Sequence, residues 1–322
     1  MATQSAQTAE PHIDLKEQLS ALFRNIEMDL GTHGFCILVL EAFLEAICQY
    51  KIRNKEQLFE QFNEIFKLIE SVKPRYAILI DSFYKIFSQA SKQTFEEITN
   101  HIREIKAYYE GEMAMLVGVA DQIEVQNKNI LIYDHSHSVQ NALKHFKEKK
   151  RNFTVLLAEQ DAEKTEDNIA FLCSTGIPFK LVPAYMISHL EETIDMAFFG
   201  AVTFQEGGQF VMDPGSKSMI SELKIEGKKI YVFLTTSKFS LWEVKDYQKE
   251  IHVKSQALNP KTSHKVEFER IKFSHDRVSA KLIDHVVTEE AIFDLEGIVN
   301  KFDDLRAQRE KDKKRLAFKG IF

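Results

Sequence analysis

A chain of 322 residues with 44% hydrophobic and 28% charged side chains is long enough for two domains, and its composition is that of an ordinary globular protein. Its formal net charge of −6 excludes a general electrostatic affinity for nucleic acid. Cys36, Cys48 and Cys173 lie far apart in apolar, helix-like surroundings, which predicts reduced core thiols rather than a disulfide framework or a zinc site.

The opening MATQSAQTAEPHIDL lacks the basic start and apolar centre of a secretory signal. FCILVLEAFLEAIC is interrupted by Glu41 and Glu45 and reads as a buried helix, too short to span a bilayer, so the expected location is the cytoplasm. In NKEQLFEQFNEIFKLIESVK, Leu58, Phe59, Phe62, Ile65, Phe66 and Ile69 recur at helical spacing, and Asn54 with Gln57 resembles a capping box. Pro74 interrupts this pattern and AILIDSFYKIF restarts it. From Thr94 onward, Phe95, Ile98, Ile102, Ile105, Tyr109, Met113 and Leu116 form the stripe of one long amphipathic helix. These stripes predict an N-terminal helical domain over residues 1–125.

Near Gln126 the character changes. ILIYD, SVQNALKHFKEKK, FTVLLAE, EDNIAFLCSTG, FKLV, AYMISHLEET, MAFFGA, GSKSMISELKIEG, IYVFLTT and HVVTE bring β-rich runs in alternation with helical segments. Continuous apolar strands separated by amphipathic helices predict an α/β domain over residues 126–322, with a parallel sheet covered by helices on both faces. Its tail, KFDDLRAQREKDKKRLAFKGIF, reads as a helical end whose mixed charges suit a solvated face. Ligands of such sheets sit at the carboxyl ends of the strands. Asp134–Ser138, Glu159–Asp161, Pro183–Ala184, Ala201–Glu206 and Thr235–Lys238 are therefore the places to look.

In ILIYDHSHS an apolar run stops at an acid, two histidines and two serines. Asp134, His135 and His137 are residue types suited to acid–base or metal chemistry. Residues two apart in an extended segment face opposite sides, so His135 and His137 are not expected to share an ion. The plainer reading is capping, with Ser136 or Ser138 accepting the free amides of a helix that begins at about Val139. Lys238 either contacts a phosphate or an acidic partner or is solvated. His33, His145, His189, His275 and His285 lack metal-ligand spacing, and Gly207-Gly208 reads as a tight turn without a P-loop or dinucleotide fingerprint. Trp242 and most of the 25 phenylalanines are read as packing residues. No metal and no cofactor are expected.

ILIYDHSHSVQNAL, LLAEQDAE, LCSTGIPFKLV, FFGAVTFQEGGQFVMDPGS, IYVFLTTSKF and DRVSAKLIDHVVTEEAI, in this order and spacing, resemble one superfamily. It holds the regulatory alpha, beta and delta subunits of translation initiation factor 2B, together with the isomerases of methylthioribose 1-phosphate and ribose 1,5-bisphosphate. The likeness runs from about Met28 to Ile298. It implies an N-terminal helical domain followed by a Rossmann-like parallel sheet, and assembly into dimers or larger complexes.

The resemblance also implies where isomerase chemistry would stand. Asp134 occupies the place of the family's proton-carrying cysteine, and Val202 that of its aspartate, which a valine cannot replace. Met212-Asp213 replaces an asparagine–lysine pair, Asp161 an arginine, Gly31 a phosphate-binding arginine and Lys73 a second one, a poorer bidentate clamp. Like charges a few ångströms apart cost on the order of a kcal/mol or more each near a protein surface. A bisphosphorylated sugar is thus expected to bind poorly, although Glu159, Gly200, Gly207, Gly208, Gly215 and Lys238 are retained. The expected function is a non-catalytic regulatory or scaffold subunit. It would assemble with itself or paralogous subunits and bind a protein partner, a translation initiation factor being the candidate, with no nucleic acid or membrane. Any ligand contact would fall to Lys73, Lys238, Gly215 and Ser216. The alternatives are an isomerase-like enzyme using Asp134 as base with His135 or Glu159, and a small-ligand sensor in the same pocket.

Overall fold

The computed structural model describes residues 15–49, 54–71, 76–90, 93–242, 250–258 and 265–317. The chain divides into two compact units, Met1–Lys106 and Ala107–Phe322. The first is helical: α1 (Leu15–Gln49), α2 (Lys55–Ser71), α3 (Ala77–Ala90) and the start of α4 (Phe95–Ala120). Within α1, Gly31 has φ 68° and ψ 170°, so two helices meet there at a kink. Leu58, Phe66 and Ile69 of the α2 stripe are buried, as are Ile98, Ile102, Ile105, Tyr109 and Leu116 of α4. The side chains of Phe59 and Phe62 lie outside the described residues. A reciprocal capping box opens α4: Glu97 N donates to Thr94 Oγ1 at 3.3 Å, and Thr94 N donates to Glu97 Oε2 at 2.6 Å.

Two sequence expectations are corrected here. The apolar helix is longer than the stretch FCILVLEAFLEAIC. Its Leu30–Gln49 part, 20 residues with mean hydropathy 1.6, is long and apolar enough to cross a membrane by length and composition alone. Phe35, Cys36, Leu40, Phe43 and Ile47, at near-helical spacing along it, are nevertheless buried in the protein. Of the cysteines only Cys36 is a core thiol. Cys48 and Cys173 are exposed, because each falls on the outward side of its helix.

In the second unit β1 (Lys128–Ile132), α5 (His137–Glu148), β2 (Phe153–Glu159), α6 (Ala162–Thr175), β3 (Phe179–Pro183) and β4 (Met196–Gly200) follow in turn. AYMISHLEET, between β3 and β4, folds as two 3-10 turns, Ala184–His189 and Glu191–Thr193. Next come β5 (Thr203–Gln205), β6 (Gln209–Met212), α7 (Ser216–Ile225), β7 (Lys229–Phe233), β8 (Phe239–Ser240), β9 (Glu250–Leu258), β10 (Lys265–Phe273), β11 (Asp276–Ser279), β12 (His285–Val287), β13 (Ile292–Phe293) and α8 (Leu295–Ala317). The main sheet has the order β13-β12-β7-β4-β1-β2-β3. All its neighbours run parallel except β13, which returns antiparallel to β12.

Strand alternation splits the core into two layers. Ile130, Ile132, Val155, Leu157, Phe198 and Phe233 pack with Leu143 and Phe146 of α5 and Leu172 of α6. Leu131, Leu156, Ala158, Phe199 and Val232 pack on the other face with Ile220 and Leu223 of α7 and Phe302 of α8. The expected α/β architecture, a mostly parallel sheet flanked by helices after a helical region, is what the chain forms. A four-stranded sheet, β11-β6-β5-β8, and a two-stranded hairpin, β9–β10, add to it.

Candidate functional site

Chain order turns around at β1: β2 and β3 lie to one side of it, β4 and β7 to the other. A parallel sheet opens a crevice at such a switch point, just beyond the carboxyl ends of the strands. Asp134, two residues past β1, reaches across it, and the Gly200 amide at the end of β4 donates to its Oδ2 at 2.6 Å. Glycine at position 200 permits this close approach: a Cβ there would lie 2.2 Å from Ser136 Oγ and 3.2 Å from Asp134 Oδ2. Asn168 Nδ2 of α6 donates to the Asp134 carbonyl at 3.3 Å, closing the loop from the other side.

Asp134 is 5% exposed, and its Oδ1 is buried with no hydrogen-bond partner among the described residues. Burial, and then the Asp213 carboxylate, push its pKa from 3.8 up to about 8, against the Gly200 amide and Lys164. At neutral pH it is therefore a neutral acid, locked to the backbone.

A second group of acids surrounds Tyr133. Its phenol donates to the Pro214 carbonyl at 2.7 Å, and its pKa is pushed up to about 12 by burial and by Asp213, Asp276, Asp134 and Asp161. Gly215, at φ +96°, brings the backbone so close that a Cβ would stand 2.2 Å from Tyr133 Oη. Asp213 Oδ2 accepts from Lys164 Nζ at 2.6 Å and from Gln160 Nε2 at 3.1 Å. Asp161 caps α6, accepting from Lys164 N at 3.0 Å. Asp276 Oδ2 accepts from Gly215 N and Lys217 N, each at 2.9 Å, so the amino end of α7 already holds a carboxylate from its own chain.

The other expected positions fall as follows. Ser136 caps α5, with Val139 N donating to its Oγ at 3.4 Å, as the capping reading requires. His135 and His137 are not turned away from each other: their rings stand 5.0 Å apart at 69°. Extended geometry ends at Ser136 and His137 already belongs to α5, so the two-residue alternation does not apply. Burial, with His135 and Lys238 next, holds the His137 pKa down, while Asp167 works the other way. Asp167 Oδ2 lies 4.0 Å from His135 Nε2. No three His, Cys, Asp or Glu side chains among the described residues form a metal-ligand group. Glu159 ends β2, paired with Pro183 of β3. Lys238 sits in a 3-10 turn, Thr236–Lys238, after β7. Ser216 is fully buried. Val202, two residues past the end of β4, is 40% exposed. Lys73 lies outside the described residues.

Two buried acids escaped the sequence reading. Glu289 accepts from Thr236 N at 2.9 Å and also from Thr236 Oγ1, and Glu112 Oε2 of α4 accepts from Ser237 Oγ at 2.7 Å. Burial and the neighbouring Glu112 charge raise the Glu289 pKa. Together they clamp the turn that carries Lys238. Glu112 was detectable: it falls between Tyr109 and Leu116 on the apolar stripe of α4, where a lone acid needs a partner.

The model of the Initiation factor 2 subunit family matches residues 30–294. The chain belongs to that family. Solved structures of similar fold include the Pyrococcus horikoshii OT3 translation initiation factor eIF-2B, with TM-score 0.68 and 18% identity over 86% of this chain and 96% of that one. eIF2B beta from Chaetomium thermophilum gives TM-score 0.66 and 14% identity over 90% of both chains. The 5-methylthioribose 1-phosphate isomerase of Pyrococcus horikoshii OT3 gives TM-score 0.65 and 13% identity over 90% of this chain and 88% of that one. No curated protein matches the chain. Both initiation-factor and isomerase folds thus share its architecture, and the strand-end residues of this family member have to distinguish between the two activities.

Proposed function

We propose that the chain is a non-catalytic, initiation factor 2B-like regulatory or scaffold subunit. It assembles through its α/β unit with itself or with paralogous subunits, binds a protein partner and works in the cytoplasm. The observation that carries this reading is the state of Asp134. It stands where the isomerases are expected to carry their cysteine, and it is buried with one oxygen held by the Gly200 amide. Val202, where the family's aspartate is expected, supplies no proton carrier. Asp213 and Asp276 add negative charge where a sugar phosphate would need positive donors. The assembly part is supported by the fold shared with the tetrameric eIF2B-beta2-delta2 complex of C. thermophilum, at TM-score 0.64 and 15% identity over 90% of this chain and 93% of that one.

Thermal-shift and turnover assays with methylthioribose 1-phosphate and ribose 1,5-bisphosphate test the reading, together with light scattering of the purified protein. A ligand at a hundred times its dissociation constant stabilises by about 2.7 kcal/mol, a readily seen shift. The scaffold reading expects no shift, no product and a dimer or larger species. Conversion of either sugar phosphate would replace it with the isomerase reading.

A further inference from the structure

The hairpin β9–β10 stands apart from both larger sheets. Among the described residues each of its strands pairs only with the other, and a lone two-stranded hairpin is marginally stable in water at best. β10 is exposed along its whole length. Alternation puts Val266, Phe268, Arg270 and Lys272 on one of its faces. The Arg270 guanidinium, 5.8 Å from the centre of the Phe268 ring, shows two of them side by side. Val266 and Phe268 are 47% and 38% exposed. This face therefore offers two bare apolar groups followed by two cations, whereas the opposite face sets Lys265 against Glu267 and Glu269.

The outer side of α8 carries the opposite sign. Glu296, Asp303 and Asp304 are exposed there, and Leu295, 38% exposed, precedes them. The cations beside them on α8 are already engaged, Lys301 with Glu290 at 2.6 Å and Arg306 with Glu206. Glu296, Asp303 and Asp304 have no ion pair among the described residues, and neither have Arg270 and Lys272. The spacings also agree. From Val266 to Arg270 the strand advances roughly 13 Å, at about 3.3 Å per residue. From Leu295 to Asp303 the helix advances roughly 12 Å, at about 1.5 Å per residue, and the two residues lie about 80° apart round its axis. An apolar group and a charge thus recur at the same interval on both surfaces, with opposite signs.

We propose that this face of β10 docks on the outer side of α8 of a second copy of the chain, with Val266 and Phe268 against Leu295, and Arg270 and Lys272 against Asp303 and Asp304. Within one chain both surfaces stay exposed, so the contact is intermolecular. Each copy offers one strand and one helix, and a two-fold axis lets both contacts form together and closes the assembly as a dimer. The apolar groups leave water on docking, while the charges set the register and reject like-charged faces. This inference rests on the reading that the chain assembles with itself, and it names the surfaces that do so.

Light scattering of the full chain and of two charge-reversed chains is the test. The parent is expected to be a dimer that weakens as salt rises. Arg270→Glu with Lys272→Glu, and separately Asp303→Lys with Asp304→Lys, should each weaken that dimer on the order of a hundredfold. An equimolar mixture of the two variants should recover it, because each strand then meets a helix of opposite charge, and the recovery shows that both variants fold. The inference is overturned if either variant dimerises as the parent does, or if the mixture of folded variants stays monomeric. The scaffold reading then keeps its self-assembly through another face. Should a variant fail to fold, the parent decides alone, since a dimer indifferent to salt between roughly 50 and 500 mM also overturns the inference. A monomeric parent overturns it too, and leaves the scaffold reading with paralogous subunits only.

Discussion

The interior of the parallel sheet and its carboxyl ends are built from the same strands but obey different rules. Inside, Ile130 and Leu131, or Leu156 and Leu157, send alternate side chains into two layers, and all four are nearly or fully buried. Every group there meets an apolar neighbour. Two residues past β1, Asp134 is also buried, yet it has an oxygen without a partner among the described residues and the Asp213 carboxylate acting on it. The contrast shows that the fold derives its stability from the layers and tolerates a local cost at the strand ends. Such tolerance marks the place where a family's chemistry resides or once resided.

The largest expected effect would break that contrast. The folded pKa of Asp134 is about 8 against 3.8 for the free side chain, so the folded chain keeps a proton that the unfolded chain releases. The stability associated with this group is fully present below the lower value and is lost as pH rises through the upper one. Asp134→Asn should therefore match the parent at about pH 3 and exceed it by several kcal/mol once the folded acid ionises, as read by urea unfolding across pH. A parent curve with the same pH dependence as the variant would show that Asp134 is not strained at all. Next in size is the sheet interior. Phe198 meets Phe146, Tyr231 and Phe233 at centroid distances of 6.4, 5.5 and 5.0 Å, and Phe198→Ala should cost about 3–5 kcal/mol in the same experiment. Gly200→Ala sharpens the boundary between the regions. Its methyl would sit 2.2 Å from Ser136 Oγ, and separating the two ends should cost about 1–3 kcal/mol. Smallest is Asp161→Ala, which removes only the α6 cap and should lower stability by about 1 kcal/mol.

How much could be read in advance follows the same division. FTVLLAE and MAFFGA are legible because buried parallel strands need continuous apolar residues, and they form β2 and β4 almost residue for residue. The turn in which Ser136 caps α5 is legible because serine has one common task there. The pairing of His135 with His137 was not, because strand alternation holds only while the backbone stays extended, and it stops at Ser136. β5, β8 and β11 span two to four residues, too few for a period to show. KVEFERIKF, forming β10, alternates charge with apolar groups on both faces and resembles a polar segment. At the site, the Asp134 substitution was visible, but its burial was not. The bond from Gly200, the Asp276 contact at α7 and the Glu289 clamp all join residues more than fifty positions apart, and local sequence carries no trace of such pairings.

The clamp on the Thr235–Lys238 turn has a mechanical consequence. Glu112 belongs to α4 and Glu289 to the segment leaving β12, so one short loop is gripped by two elements from distant parts of the chain. A shift of α4 at Glu112 need not deform the sheet to be felt at its β12 flank: it passes through two carboxylates and the Ser237 and Thr236 hydroxyls between them, a joint that a single Glu112→Ala exchange would loosen.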